Sequence, residues 1–437
     1  MSKLAGVFSK IENKKTLVIG DLLCDAYTVG KARRISPEAP VAVVDVQHEE
    51  SRPGGAGNVA LNLKSLGLDV IASGRIGFDA RGEELLQSLA LDGISTYGIV
   101  KQSNYYTPVK NRIIADNQQI VRIDHEEIAQ IPEQVEQQVI ELLPQILKQV
   151  SVVAISDYGK GFLSQTLLTA LLEHANQHQV PVIVDPKGLD FRRYRGATLI
   201  KPNLKEAYAA SNLPPEASLD QVAERLLEIT QTKYLLITRS EDGISIFGQD
   251  GTRQDFSTDV REVKDVTGAG DTVLATLTCA FANGLDIIEA AQLSNVTAGI
   301  AIEQLGCARV TLSELARRLL IGNTENKVFD EEHLFALQEA LRGRRYQVLG
   351  ISESDGLRTG LFKTIRLLAA EDRDLLLYIR DVQPSEEFVN VVASLQGVDF
   401  VILKSDSLQH LCTMITPEAV SILEEDSLKS LEGVAHL

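Results

Sequence analysis

Gly268-Ala269-Gly270-Asp271 combines two flexible residues with a carboxylate and runs straight into the apolar helical stretch Val273–Ala282. Two glycines let the backbone turn tightly with its N–H groups pointing one way. Those amides, added to a helix N-terminus, make a concavity that favours negative charge. Asp271 would repel a phosphate, so it is a poor ligand for one. It suits a base that takes a proton from a hydroxyl attacking that phosphate, a role typically worth about 10²–10⁴-fold. An Asp that simply caps a helix after a glycine loop is the alternative that this string alone leaves open.

Other polar groups recur at the ends of apolar strands, where open α/β sheets bind ligands. Asp21 and Asp25 follow the strand Thr16–Ile19 and could grip sugar hydroxyls. Gly54, Gly55 and Asn58 lie in the turn Pro53–Asn58, which offers close backbone approach and a bifunctional amide. Asn203 and Glu206 follow the strand Thr198–Ile200, with Glu206 suited to a metal or its waters. Thr238, Ser240 and Gly243 follow Leu235–Ile237. Each group alone has an ordinary structural reading. Four such sites, each just after a strand, are hard to explain as independent loops.

The elements that must position them alternate. Strands Val70–Ala72, Val152–Ile155 and Val182–Val184 are interleaved with helical stretches such as Val59–Leu66, Pro132–Gln149 and Gln165–Gln177. That pattern predicts βαβ units and a mainly parallel sheet. Tyr105–Asp124 differs, with two β-like runs around Ala115-Asp116-Asn117 that read as a hairpin lid. A polar break at Ile321–Phe329 precedes a shorter alternation: strand Gln347–Gly350, helix Leu361–Ala370, strand Leu375–Ile379, helix Glu386–Leu395, strand Phe400–Leu403. The expected organisation is a first domain over 1–320 with lid segments about 28–50 and 105–124, a linker and connecting helix over 321–345, and a small α/β domain over 346–437.

Composition removes several classes of function. The 437 residues carry 43 Lys and Arg against 60 Asp and Glu, a net charge of −17. That balance argues against general affinity for nucleic acid or anionic membrane. The four cysteines are scattered without a CxxC pair, which excludes a disulfide framework or a zinc ribbon. No apolar run is long enough to span a bilayer, and the N-terminus lacks a secretory h-region. A cytoplasmic protein is expected. His174 and His178 share a helical face but no HExxH surrounds them; a Walker A string is missing, and no GxGxxG follows the first strand.

PGGAGN (Pro53–Asn58) and DVTGAGDT (from Asp265) resemble the two signatures of the ribokinase-type PfkB carbohydrate kinase family. Within it, RISPEAPVAVV, RPGGAGNVALN, NQQIVRID, SDYGKG, VDPKGLDFRRYRGAT, PNLKEA and TRSEDG resemble the heptose-7-phosphate kinase half of the bifunctional heptose kinase/adenylyltransferases, over about residues 10–320. The resemblance implies a ribokinase-like doubly wound α/β domain with a small β lid and a smaller Rossmann-like α/β C-terminal domain. It implies an ATP-dependent, Mg²⁺-assisted sugar kinase acting on a phosphosugar. Asp271 would be the base and Gly268, Ala269 and Gly270 the anion hole. Asn203 and Glu206 would organise Mg²⁺ through water. Thr238, Ser240 and Gly243 would line the ATP site, with Asn295 near adenine. Asp21, Asp25, Gly54, Gly55, Asn58, Asn117, Asp185 and Lys187 would surround the sugar. Lys110, Arg112 and Arg122 would grip its phosphate from the lid, since guanidinium forks match phosphate oxygens. Arg192, Arg193 and Arg195 are further cations of the same region. Asp265, Thr267 and the 301–306 loop are a candidate site for a monovalent cation such as K⁺.

The C-terminal part departs from that resemblance. The family's T-N-G-x-F-D-x-x-H-x-G-H string corresponds here to Leu349–Gly360, which contains no histidine. The Lys-Gly-x-x-Arg-Pro-type loop after Asp381 is also missing. The expectation is a degenerate nucleotidyltransferase-like domain without activity, serving oligomerisation, partner docking or regulation. Separate adenylyltransferase and phosphatase enzymes would then act downstream. A homodimer through the lid is expected, since uncovered strand edges are a liability. Two alternatives stand beside this reading: a kinase of the same family for another sugar, and a non-catalytic scaffold working through the C-terminal domain.

Overall fold

The computed structural model describes residues 7, 10–258, 263–304, 306–321, 327–329, 334–370, 373–403, 407–424 and 427–431. The chain divides into two compact units, Glu12–Thr311 and Leu312–Leu437, the latter counted with Met1–Ile11.

The first unit runs β1 (Lys15–Gly20), β2 (Leu22–Ile35), β3 (Ala42–Gly55), α1 (Ala56–Ser65), β4 (Asp69–Gly77), α2 (Ala80–Leu91), β5 (Ser95–Gln102), β6 (Val109–Ala115), β7 (Gln118–His125), α3 (Glu133–Leu147), β8 (Val152–Ser156), α4 (Gln165–Gln177), β9 (Val182–Asp185), β10 (Leu199–Ile200), α5 (Leu204–Ser211), α6 (Leu219–Thr230), β11 (Tyr234–Thr238), β12 (Ile244–Gly248), β13 (Arg253–Phe256), α7 (Ala269–Ala282) and α8 (Ile287–Ile302). Nine strands form one sheet in the order β13-β12-β11-β10-β9-β8-β1-β4-β5. The pairs from β11 to β5 are parallel, and β12 and β13 add an antiparallel edge. Central strands such as β1 bury consecutive residues, Leu17, Val18 and Ile19. Such runs are stable only where helices cover both faces of a sheet. Strand order reverses at β1, with β4 on one side and β8 on the other. The crevice at the carboxyl ends of β1, β8 and β9 is therefore the place where this architecture holds ligands.

The lid is a separate sheet, β3-β2-β6-β7. It is larger than the two segments expected from sequence. Strand β2 starts at Leu22, one residue after β1, and pairs with β3 from Leu22↔Gly55 to Ile35↔Ala42. Asp25 thus lies inside a strand rather than in a loop. Pro53, Gly54 and Gly55 close β3, and Ala56 already opens α1. Strand β2 also pairs in parallel with β6, from Cys24↔Val109 to Gly30↔Ala115. Asp116 and Asn117, both with positive φ, form the tight turn between β6 and β7, a conformation that Asn and Asp tolerate well.

The second unit contains α9 (Leu312–Ile321), β14 (Val328–Phe329), α10 (Leu334–Leu341), β15 (Tyr346–Ile351), α11 (Thr359–Leu368), β16 (Asp374–Ile379), α12 (Glu386–Ser394), β17 (Phe400–Leu403), α13 (Leu408–Ile415), β18 (Ala419–Glu424) and β19 (Ser427–Ser430). Its sheet order is β14-β17-β16-β15-β18-β19, parallel except for the last pair. Leu349, Ile351, Leu377, Ile379, Ile365 and Val392 belong to its core. The division falls near 311 rather than 320, because α9 is tied to α10: Arg317 Nε donates to the carbonyl of Ala340 at 3.1 Å. Of the expected 321–345 linker, residues 322–326 and 330–333 lie outside the described residues.

One buried cation braces the crevice. Arg75, at the end of β4, is 1% exposed. It donates to Gln102 Oε1 at 2.9 Å, to the carbonyl of Lys160 at 2.6 Å and to that of Ala129. Its guanidinium lies 4.1 Å from the Tyr105 ring centroid. Arg75→Met would orphan two buried acceptors and one half-buried acceptor, so it should cost on the order of 3 kcal/mol. A fall in the denaturation midpoint of the first unit checks this; an unchanged midpoint would contradict it.

Candidate functional site

Helix α7 begins at Ala269, and its N-cap is Gly268 at φ 79°. A Cβ added to Gly268 would sit 2.8 Å from Asn58 Nδ2. The glycine is therefore required both by its left-handed backbone and by the approach of Asn58. Asp271, in the first turn of α7, is buried. Asn58 Nδ2 donates to its Oδ2 at 2.8 Å, and the Tyr158 hydroxyl donates to its Oδ1 at 2.8 Å. The Asn58 amide is oriented by Asn62, whose Nδ2 donates to Asn58 Oδ1 at 3.3 Å. Burial pushes the Asp271 carboxyl up to about 7, with Asp185 and Asp25 adding to the shift and the two hydrogen bonds opposing it. The position thus holds a carboxylate poised to exchange a proton near neutral pH.

Two strand ends, those of β9 and β10, supply its neighbours. Asp185, at the end of β9, pairs with Lys201 at 3.0 Å. A Cβ on Gly270 would lie 3.6 Å from Lys201 Nζ, so this pair borders the glycine turn. Asn203 and Glu206 form a reciprocal capping box at the start of α5, and Lys187 pairs with Glu206 at 2.8 Å. These two side chains are thus placed at a helix N-terminus facing the strand ends. Among the described residues, no group of three or more His, Cys, Asp or Glu could hold a metal by itself.

Beside the glycine turn is a cavity of about 500 Å³, lined by Thr238, Ser240, Gly243, Ala269, Gly270 and Asn295 among others. Asn295 Nδ2 donates to the carbonyl of Ser257 at 2.8 Å, while its buried Oδ1 has no hydrogen-bond partner. An orphaned buried acceptor at the wall of a cavity with apolar residues such as Ile244 and Val273 fits the amino edge of a purine.

On the lid side, Asp25 pairs with Arg112 at 2.5 Å and accepts from Cys307 Sγ at 3.5 Å. Gly54 is needed there, because a Cβ would fall 2.1 Å from Asp25 Oδ2. Gly55, at φ 56°, joins β3 to α1. Lys110 Nζ lies 5.3 Å from the Tyr158 ring centroid. Burial lowers its pKa, and the ammonium of Lys160 adds to this. Lys160 itself pairs with Glu126 at 2.7 Å. The half-buried, crowded ammonium of Lys110 would be relieved by an anion.

Several expected residues are placed otherwise. Asp21 accepts from the backbone N–H of Tyr158 at 2.9 Å and of Lys160 at 3.0 Å; its carboxylate organises a loop. Arg122 is held in a fork with Asp124 on the exposed strand β7. Asn117 serves the hairpin turn and is exposed. Arg192 pairs with Asp190, Arg193 donates to the carbonyl of Leu163, and Arg195 donates to Gln231. Asp265 accepts from the N–H of Thr267 at 2.8 Å and of Gly306 at 2.9 Å. Burial opposes it, yet those bonds hold Asp265 below its ordinary pKa. Leu305 of the 301–306 loop lies outside the described residues. Tyr158, Lys160, Lys201 and Cys307 had no role assigned from sequence. Tyr158 was within reach of the strand-end rule, because it follows β8, the neighbour of β1.

The chain is similar to several known proteins. A family model described as pfkB family carbohydrate kinase matches residues 13–315. The bifunctional protein HldE of Trichlorobacter lovleyi is 40% identical over 431 residues, covering 94% of this chain and 88% of the relative. That of Geobacter sulfurreducens is 39% identical over 444 residues, covering 96% and 89%. Among solved structures, phosphofructokinase-2 from Escherichia coli in complex with potassium aligns with a TM-score of 0.58 at 19% identity, covering 71% of this chain and 99% of that one. Ribokinase of Arabidopsis thaliana complexed with ribose and ATP aligns with a TM-score of 0.56 at 18% identity, covering 70% and 99%. These two establish the fold of the first unit as ribokinase-like.

The raised Asp271 pKa carries a stability consequence. Because the folded protein holds this proton more tightly than the unfolded chain, the contribution is full below about pH 4 and is lost as pH rises through about 7. Asp271→Asn removes that dependence. The melting temperature of the variant relative to the parent protein should therefore be higher at pH 8 than at pH 5. An offset that is the same at both pH values would contradict the assignment.

Proposed function

The chain belongs to the pfkB family of carbohydrate kinases and is a sugar kinase; from that premise we propose that it phosphorylates the anomeric hydroxyl of D-glycero-β-D-manno-heptose 7-phosphate with ATP, giving heptose 1,7-bisphosphate and ADP. The observation that carries this reading is the buried Asp271 carboxylate, set between the glycine turn with its adjoining cavity and the cationic lid. Asp271 takes the proton of the attacking hydroxyl. The sugar oxygen forms its bond to the γ-phosphorus as the bond to the β,γ-bridging oxygen breaks. The amides of Gly268, Ala269 and Gly270 face the charge that develops on the transferred group. Asn58, Asp25 and Gly55 hold the sugar, and Lys110 and Arg112 hold its 7-phosphate.

ATP occupies the cavity with its adenine toward Asn295 and its ribose and phosphates along Thr238, Ser240 and Gly243. Asn203 and Glu206 would hold Mg²⁺ through water, and the ion would supply neutralisation of the nucleotide phosphates. A monovalent cation such as K⁺ beside Asp265 would act only through the loop that Asp265 ties together. The heptose assignment draws on the HldE relatives and on Lys110 and Arg112 of the lid, and would put the reaction in ADP-heptose synthesis for the lipopolysaccharide core. The expected setting is the cytoplasm, where ATP and sugar phosphates are found. No described helix is long and apolar enough to cross a membrane. A dimer would cover Ile120, Val121 and Ile123, which are exposed on the edge strand β7.

The relatives are bifunctional by name, whereas the second unit of this chain is proposed to lack adenylyl transfer. Two carboxylates stand at the carboxyl ends of its strands. Asp381 accepts from the Ser352 hydroxyl at 2.9 Å and from the Glu353 N–H at 2.7 Å, and Glu353 accepts from the Ser385 N–H at 2.9 Å. Negative groups fixed there oppose a triphosphate. The role of the unit would be oligomerisation, docking or regulation.

The experiment is ADP release with Mg-ATP and the heptose 7-phosphate, beside unphosphorylated sugars and fructose 6-phosphate, with product mass determined. Turnover on the heptose phosphate ending at the bisphosphate, without pyrophosphate release, is expected. Turnover on another sugar alone would reassign the substrate, and pyrophosphate release from ATP with the heptose 1-phosphate, giving ADP-heptose, would overturn the inactive second unit. Asp271→Asn should lower turnover by about 10²–10⁴-fold; a fully active variant would contradict the base.

A further inference from the structure

The loop Asp157–Gly161 after β8 is held from several sides. Asp21 accepts from its amides at Tyr158 and Lys160, and Arg75 donates to its carbonyl at Lys160. Asp157 accepts from the N–H of Gly159 at 2.7 Å and from the hydroxyl of Tyr194 at 2.6 Å. Gly159 and Gly161 both have positive φ. A loop fixed by two buried charged residues and a buried phenol has one conformation, and the side chain it carries is therefore aimed. That side chain is Tyr158. Its hydroxyl reaches Asp271 and its ring lies under the Lys110 ammonium, a cation–π distance.

We propose that Tyr158 is a positioning residue for phosphoryl transfer: its hydroxyl fixes the carboxylate of Asp271, and its ring ties that carboxylate to the lid through Lys110. The inference rests on the reading of Asp271 as the base. Among the described residues, geometry gives Tyr158 one of the two side-chain hydrogen bonds to this carboxylate, Asn58 giving the other. Each oxygen accepts one bond and keeps a lone pair free for a sugar hydroxyl. Burial keeps the Tyr158 phenol protonated far above neutral pH, so it acts as a permanent donor. It stabilises the charged form of Asp271 without competing for the proton. Lys110 sits on β6, so a phosphosugar that engages the lid also loads the ring whose hydroxyl orients the base.

The groups around Asp271 define what the hydroxyl must offset. Asn58 faces it from α1 and Asp185 from β9, with Lys201 beside Asp185. Asp25 faces it from β2 with its partner Arg112 on β6, and the Cys307 thiol lies next to Asp25. Two of these neighbours are carboxylates that push the Asp271 pKa up, and the hydroxyl of Tyr158 works against them. Tyr158→Phe keeps the ring and the Lys110 contact and removes only that donor.

The test compares the parent protein with Tyr158→Phe, both free of ligand. The titration of Asp271 is read from carboxyl ¹³C shifts, with the signal identified by its loss in Asp271→Asn. Loss of the donor should move the midpoint upward by about one pH unit; an unmoved midpoint overturns the proposal whatever the substrate proves to be. In turnover at pH 7, Tyr158→Phe should lower kcat at least about ten-fold with the KM for ATP unchanged. Equal kcat would also overturn it. The tie to the lid is read with Tyr158→Leu, which should raise the KM for the heptose 7-phosphate beyond that of Tyr158→Phe; an equal KM removes the lid from the proposal. Failure of the underlying reading looks different: Asp271→Asn would stay active while the ¹³C midpoint still moved in Tyr158→Phe.

Discussion

A carboxylate buried at the N-terminus of a helix, among other carboxylates, is the constraint around which the first unit is organised. Asp271 must be dry enough to hold a proton near neutrality and supported enough to release it. Burial with Asp185 and Asp25 drives it one way, and Asn58 and Tyr158 draw it back. Neither neighbouring carboxylate is left alone: Asp185 has Lys201, and Asp25 has Arg112. Partnering them limits the repulsion at Asp271 without removing it. The pKa of about 7 is thus a balance of opposing local effects, which suits a general base working at neutral pH.

Holding that balance requires side chains from distant parts of the chain to meet within a few ångströms. The parallel sheet does this by bringing the ends of β1, β8 and β9 side by side. Asp21, Arg75 and Asp157 then convert the end of β8 from a flexible loop into a fixed platform. Gly268 and Gly54 remove the Cβ atoms that would collide with Asn58 and Asp25. The lid strand β2 emerges directly from β1, so Asp25 and its partner Arg112 are positioned by the same backbone that carries Asp21.

Much of this is legible in the sequence because strand ends announce themselves. Apolar runs closed by Asp, Asn or Gly mark the floor of the site, and the glycine turn before α7 marks its base. What stays hidden depends on pairing between remote segments. The extent of β2 and β3 is set by their mutual register and by β6, which no local pattern encodes. Arg122 and Asn117 look like ligands by residue type, and the fork from Arg122 to Asp124 and the tight turn at Asn117 become visible only in the fold. Tyr158 looks like any aromatic residue after a strand until the fold brings Asp271 to its hydroxyl. The boundary near 311 is hidden for the same reason, since α9 is joined to α10 by contacts across the intervening segment, such as those of Ser313 with Glu339 and of Arg317 with the Ala340 carbonyl.

The second unit shows the converse case, in which a mainly parallel α/β sheet is present while its strand ends carry Glu353 and Asp381. Whatever that unit does, the account of catalysis stands on Asp271. Its most direct test is the pH dependence of kcat/KM on the sugar phosphate, which reports the ionisation of the free enzyme. The account predicts a rate that falls on the acid side with a midpoint near 7, above the second ionisation of a phosphate at about 6. A profile that stays level down to about pH 5, where an ordinary aspartate would still be ionised, would contradict it.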